Sequence, residues 1–516
     1  MSNHDLNAAW DYHNQTKHSY DSIHTEPHYL DWQNQPLPFK VYKTLDPMPL
    51  PQDLLSSGVP ALSAISAFNT PSSAPTVPSL ALLTSLLYFS AGITRRKQYP
   101  GGEILFRAAA CTGALYHIEL YVVCGDLPEL QAGVYHFGPG DFALRCLRQG
   151  DYRHTLAQAT GGEPSMAAAP LTVICTGTYW RNAWKYRART YRHCFWDTGT
   201  ILANLLAVAA AHVMPAKVVM GFVDDTVNHL LGLDIRHEVA LTLVALGHEP
   251  QGLPESSPAL EPLQFETVPL SNKIVEYPSI GAMHAASSLR DETEAAAWHG
   301  RMLSHEPSGA TGELFPLRPL SPIDAAADTI EQVILRRGSS RRFAQVSMSY
   351  TQLSTILQRA TQGIAADFLE PPGAMLNDLY LLVNAVDDLP SGAYVFRREH
   401  GDLELLRRGE FRRDAGYLGL MQEIPADASV DVFFMTDLRA VLERFGNRGY
   451  RAAQLEAGII GGKLYLGAYA QRLGASGLTF FDDDVTRFFE PHASGKSVMF
   501  LVALGKAGKL SRNNLA

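Results

Sequence analysis

The sequence predicts a chain of mixed helices and strands in which one unit is built twice, the copies paired about a pseudo-two-fold axis as a dimer made covalent. The first observation is a set of like residues recurring 259 positions apart. Leu120-Tyr121 recurs as Leu379-Tyr380, and Gly133, Tyr135 and Phe137 recur as Gly392, Tyr394 and Phe396. Tyr191-Arg192 recurs as Tyr450-Arg451, Gly199 as Gly458, and Phe222, Asp224 and Asp225 as Phe481, Asp483 and Asp484. One offset held over such a span marks an internal duplication. The second observation is length, since 516 residues exceed one ordinary domain. The third is an apolar content of 46%, enough for more than one core.

Composition narrows the function. A net charge of −9 disfavours nucleic acid and membrane surfaces as partners. The five cysteines are odd in number, scattered and without CxxC spacing, so neither a disulfide framework nor a metal site is expected. The polar first 20 residues lack the apolar core of a signal peptide, and no apolar run reaches membrane-spanning length. A cytoplasmic location is the expectation.

Residues 1–50 are polar and aromatic. Their five histidines (His4, His13, His18, His24, His28) fit no metal-binding helix and read as a surface or interface arm. Residues 27–42 are Pro-bounded and extended. No Lys or Arg occurs from 44 to 94, and residues 79–92 within that span read as a buried helix ending at Gly92. A small-residue loop, 107–117, leads into a strand at 118–123. A second strand follows at 133–137, and the continuous apolar run 171–176 is typical of a central strand. The run 184–192 carries Lys185, Tyr186, Arg187, Arg189, Tyr191 and Arg192, with Arg181 upstream, against the apolar helix that follows Asp197. So much charge beside a core needs water or an anion. A strand at 239–246 closes the first unit. The chain thus divides into a domain at 1–248, a Pro-rich wrapping linker at 249–325 with one helical piece near 288–302, and a domain at 326–516.

The second half holds Arg336-Arg337-Gly338-Ser339-Ser340-Arg341-Arg342-Phe343 just before a helix at 350–362. Forked guanidiniums and hydroxyls suit phosphate oxygens. Gly495-Lys496-Ser497, before the last strand at 498–504, offers a further cation and hydroxyl for the same site; a solvated basic helix start is the plainer alternative. The first half carries no positive charge at the matching 65–72. Conversely, Lys185-Tyr186 stands opposite Arg444-Phe445, which has no usable acid or base. The two losses are complementary and point to one shared site. The acids at 224–225 and 482–484, recurring at a strand–helix turn, read as helix caps rather than as a metal or catalytic pair.

These residues resemble the nitroreductase superfamily, and within it the SagB-type dehydrogenases (azoline oxidases), in tandem form over most of the chain. Arg336 to Phe343 resembles the family's R-R-(G)-S-x-R-x-F phosphate motif, and 107–117 resembles R-A-A-P-S-A-G-A-L-Y-P, with departures at Ala110, Cys111, Thr112 and His117. The stretch Gly133-Val134-Tyr135-His136-Phe137 and the run 184–192 are also typical. The resemblance implies an α+β, nitroreductase-like three-layer fold with an antiparallel-rich sheet, duplicated as an intrachain pseudo-dimer, with FMN between the halves. It implies that Arg337, Ser339, Arg341, Lys496 and Ser497 hold the phosphate, that Thr112, Gly113 and Ala114 line the ring, and that Lys185 and Tyr186 are catalytic. No metal is implied. A peptide or small-molecule substrate and a peptide-modifying cyclodehydratase partner follow from the same resemblance.

The implied chemistry is oxidation of an azoline ring in a peptide to an azole, with a proton removed from carbon and a hydride passed to flavin N5. The neighbouring Arg181, Arg187, Arg189 and Arg192 are expected to drive the Lys185 ammonium pKa down towards a usable base, with Tyr186 relaying the proton or orienting the ring. Two other readings remain open: an NAD(P)H-dependent nitro or quinone reductase, and a degenerate flavin- or peptide-binding scaffold. Cys111 reads as a small buried residue rather than a redox thiol.

Overall fold

The computed structural model describes residues 3–508 apart from 26–27, 69–73, 100–101, 251, 300–308, 322–327 and 372. Parts of the expected arm, of the matching segment 65–72, of the helical piece near 288–302 and of the linker lie outside the described residues.

Two seven-stranded sheets share one strand order. The first runs Met48–Pro49, Ala143–Gln149, Gly133–Gly138, Ile118–Cys124, Leu171–Thr178, Glu238–Leu246, Ala216–Val219. The second runs Glu313–Pro316, Asp402–Arg408, Gly392–Arg397, Asp378–Val383, Val430–Thr436, Ser497–Gly505, Gly474–Leu478. Every pairing in both is antiparallel. The register repeats with the order: Leu120 faces Phe137 as Leu379 faces Phe396. Even the irregularities repeat, at Val134/Tyr135 and Ala393/Tyr394, and at Cys175/Thr176 and Phe434/Met435. The central strands are buried on both faces, as their unbroken apolar runs require. Helices cover the sheets, so the α+β expectation holds.

The halves meet along two long helices, Thr190–Ala211 and Arg448–Ala470. Their crossing explains the repeated glycine. A Cβ on Gly199 would sit 2.4 Å from the carbonyl carbon of Gly458, and one on Gly458 would sit 2.7 Å from the carbonyl oxygen of Trp196. Only glycine lets the backbones approach this closely. The stretch Tyr179–Ala211 is apolar and long enough by composition to cross a membrane, but nearly all of it is buried within the protein. It is buried core, made of a short helix, a break at Arg187 and the long helix.

The anion that the basic run requires comes from the opposite half. Asp482 accepts from Arg189 at 3.0 Å and Arg192 at 2.6 Å. Reciprocally, Asp224 accepts from Arg448 at 2.6 Å and Arg451 at 2.7 Å. Asp482 also accepts from the His18 backbone N–H, and Asp224 from that of Leu289. These carboxylates stand in the first turns of their helices but make no side-chain cap; they are interface anions. The structural partner of Asp224 is therefore Asp482, one residue short of the constant offset.

The stretch 249–325 is more than a linker. Pro278–Ala286 packs against the N-terminal helix Asn7–Gln15 at the pseudo-axis, and the two have matching roles. Arg192 donates to Thr16 Oγ1 as Arg451 donates to Ser287 Oγ. Glu313–Pro316 is already the edge strand of the second sheet. The second unit therefore starts before residue 326, and its first segment is the counterpart of the N-terminal arm. The arm is part interface and part surface: around Asn7–Gln15 it is buried between the halves, where His13 is enclosed and its carbonyl accepts from Arg192, while Tyr20, Tyr29 and Trp32 are exposed.

Candidate active site

The helix Tyr179–Tyr186 brings Lys185 and Tyr186 to the groove between halves and then stops abruptly. Arg187, at φ 50° and ψ −140°, makes the turn into the first long helix; Gly446 takes the same strained place in the second half at φ 69° and ψ −165°. The backbone break fixes where the Lys–Tyr pair points.

Opposite the pair lies the loop of Thr112, Gly113 and Ala114. Gly113 has φ +64°, and a Cβ there would lie 2.8 Å from the Tyr186 hydroxyl oxygen. The phenol therefore rests directly on the glycine. Asp197, from the long helix, holds this loop in place. It accepts from the Thr112 N–H at 2.9 Å and the Thr112 hydroxyl at 2.8 Å, and from the Cys111 thiol at 3.1 Å. Glu456, 259 residues on, does the same for the backbone of Leu376 and Asn377 at 2.9 Å each. Asp197 went unassigned in the sequence, although the offset that pairs it with Glu456 would have found it.

Charge tunes the pair in opposite senses. Partial desolvation, then the nearby Arg341 guanidinium, pull the Lys185 ammonium pKa down. Burial, then Asp197 and Cys111, push the Tyr186 phenol up, so it stays protonated. The Lys185 shift has the expected direction but another cause. Arg181 pairs with Glu119 at 2.7 Å, and Arg189 and Arg192 are taken by Asp482. The cation that acts on Lys185 is Arg341, from the other half.

The residues expected at the phosphate separate into three groups. Arg337 is buried and donates to the backbone carbonyls of Ala108 at 2.8 Å and Arg107 at 2.9 Å. It clamps the first half's loop and has no free fork for an anion. Ser339 and Arg341 are exposed; the Ser339 hydroxyl is 3.3 Å from that of Tyr465. Lys496 and Ser497 are elsewhere. Lys496 forms an ion pair with Asp378 at 2.5 Å and lies over the Tyr380 ring. They start the nine-residue strand Ser497–Gly505, whereas the 336–343 motif meets its far end, where Phe343 bridges Ala507. Nine extended residues span roughly 30 Å, so neither group can share a phosphate with Arg341.

One element was not read from the sequence. A hairpin, Ile93–Tyr99 with Gly102–Arg107, stands beside the groove and carries Arg95, whose charge acts on Arg337. Among the described residues the other half has no counterpart strands here. Its signal was the basic Arg95-Arg96-Lys97 run just before Pro100-Gly101-Gly102.

No family model matches the chain. Over 167 residues, 32% of this chain and 79% of the relative, it is 24% identical to a protein of Methanocaldococcus jannaschii named as a nitroreductase. Over 157 residues, 30% of this chain, it is 27% identical to the microcin B17-processing protein of Escherichia coli, and the match spans 54% of that protein. A solved structure from Anabaena variabilis, of a protein named as a nitroreductase, superposes with a TM-score of 0.75 at 24% identity, covering 97% of this chain and 99% of that one. The chain is nitroreductase-like in fold, and it carries that fold twice.

Proposed function

We propose that the chain is an FMN-dependent oxidoreductase with one working groove, and that it oxidises azoline-like rings in a peptide to azoles. The observation that carries this is the convergence of Lys185, Tyr186 and the Gly113 loop from the first half with Arg341 from the second. The groove's residues fit the cofactor. Ser339 and Arg341 offer an exposed hydroxyl and guanidinium, and the Gly113 loop offers a floor without a side chain. Arg341 stands at the Lys–Tyr end, and Arg337 holds the loop rather than the phosphate. Similarity to a microcin B17-processing protein supports a peptide as substrate, and the motif resemblance adds a cyclodehydratase as the partner that supplies it.

When bound, FMN supplies the hydride acceptor. Lys185, with its ammonium form disfavoured, takes the proton from the ring carbon. Tyr186, held protonated, orients the ring by donating its hydroxyl hydrogen. Lys185 reaches the exposed rim of the groove, and Tyr186 lies half-buried beneath it. The test is a flavin absorbance spectrum of the purified protein, then mass spectrometry of an azoline peptide after a single turnover. The expected results are a bound flavin and loss of two hydrogens, with the loss abolished in Lys185→Ala while flavin stays bound. Full activity in that variant overturns the base assignment. Rapid flavin reduction by NADPH without peptide oxidation points instead to a nitro or quinone reductase.

A further inference from the structure

We infer that Cys111, His117 and Asp197 form a binding site for one divalent ion of the zinc class. Their donor atoms all lie within 4.8 Å of one another. Asp197 Oδ2 is 3.1 Å from Cys111 Sγ and 3.4 Å from His117 Nδ1. Around a tetrahedral zinc with bonds of about 2.0–2.3 Å, neighbouring donors stand roughly 3.3–3.6 Å apart. The three side chains therefore need to move little to close on an ion.

His117 is the second, independent sign. Its side chain is 0% exposed, and neither ring nitrogen has a hydrogen-bond partner. A buried imidazole with both nitrogens unpaired is costly, and coordination would satisfy one of them. The Tyr116 backbone N–H donates to Cys111 Sγ at 3.0 Å and aims the sulfur at the site, where an ion would displace the proton that the thiol now donates to Asp197. The Thr112 N–H and hydroxyl donate to the Asp197 carboxylate and hold it in place. A cavity of about 10 Å³, lined in part by Cys111, Tyr116 and Asp197, adjoins the donors.

Two nearby guanidiniums oppose a cation, and the two acidic donors offset them. Arg107 and Arg181 lie near enough to act on His117, but Arg181 is paired with Glu119 and the Arg107 guanidinium donates to the Pro38 carbonyl. A thiolate and a carboxylate together neutralise a dication, so the filled site adds no net charge. Cys111 and His117 are two of the four positions where this loop departs from the pattern it resembles. Filled, the site would pin both ends of the loop that carries Gly113 beneath Tyr186. Spacing alone concealed it, because Asp197 lies 80 residues from the nearer of the other two.

The test uses the full chain. Zinc per chain is measured by plasma mass spectrometry after purification without chelator. Chelator-stripped protein is then titrated with zinc alone, and with cobalt(II) to detect a thiolate charge-transfer band. The expected outcome is one equivalent bound, with affinity reduced by more than about a hundredfold in Cys111→Ser and in His117→Gln. Circular dichroism of the stripped wild type and both variants separates loss of the site from loss of the fold. Stripped but folded wild type that takes up no zinc at micromolar concentration overturns the proposal. So does stoichiometric binding that survives both substitutions.

Discussion

The reciprocal ion triads set the clearest stability prediction. Asp482→Asn keeps the size of the side chain and removes its charge. In the native protein its two oxygens accept from Arg192 at 2.6 Å, Arg189 at 3.0 Å and the His18 N–H at 2.8 Å, and all three side chains of the triad are at most 3% exposed. The variant leaves two guanidiniums buried without a counter-ion, which costs about 3–5 kcal/mol. Urea unfolding at neutral pH, followed by tryptophan fluorescence, measures the loss. Removing all three charges, as in Arg189→Met/Arg192→Leu/Asp482→Leu, costs less than the single change, because no charge is stranded. The pH dependence has a definite sign. The guanidiniums hold the Asp482 carboxyl below the usual carboxylate range, against burial. Its stabilisation is therefore complete above about pH 5 and fades as pH falls below the unfolded value of about 3.9. Wild type and Asp482→Asn thus converge in acid. A loss under about 1 kcal/mol at neutral pH, or a gap that persists unchanged in acid, would refute the anchoring role.

Three further outcomes follow from the geometry. Gly199→Ala forces the long helices apart, because the new Cβ meets the Gly458 backbone at 2.4 Å; a loss of about 1–3 kcal/mol in the same urea assay is expected, and an unchanged midpoint would contradict the crossing. Gly113→Ala combines a left-handed φ with a Cβ 2.8 Å from the Tyr186 hydroxyl. It should lower peptide oxidation at least about tenfold by displacing the phenol, yet cost little more in a Tyr186→Phe background, which a double-mutant cycle reads directly. Arg341→Gln removes the cation that, after partial desolvation, depresses Lys185; the Lys185 pKa rises, and the limb of the rate profile that requires the free amine moves to higher pH. A profile shifted the other way would dissociate Arg341 from Lys185.

The fold was legible wherever the repeat kept one offset. The five inner strands of each sheet and both long helices sit within that register, and Gly199 and Gly458 proved to be the crossing itself. Failures came where the offset changed or where distant segments meet. The N-terminal arm and its counterpart are 271 residues apart, as Thr16 is from Ser287. The 12-residue difference corresponds to the hairpin present only in the first half, so a search at one spacing missed both the hairpin and the start of the second unit. The anion for Arg189 and Arg192 was invisible because Asp482 lies about 290 positions away. Lys496 misled for a different reason. The last strand has a lysine at each end, Lys496 and Lys506, and composition cannot tell which end faces the 336–343 motif; the pairing of Ala344 with Lys506 decides it.

A duplicated pair would begin with two equivalent grooves, and the two have diverged. In the first half the loop before the central strand stays in the groove, under Tyr186. Its second-half counterpart crosses into the first sheet: Val218 donates to Ala365, Asp367 donates to Val218, and the Asp367 carboxylate accepts from Met220 and Gly221 at 2.7–3.0 Å. That carboxylate also lies 3.0 Å from His299 Nδ1. The segment that would floor a second site has become part of the fold. Phe445, at the place of Tyr186, is fully buried and offers no proton. The ion triads that lock the halves together also hold the groove where Arg341 meets the Lys185–Tyr186 pair. Neither half alone can form it, because Arg341 and the Lys185–Tyr186 pair come from opposite sides of the interface.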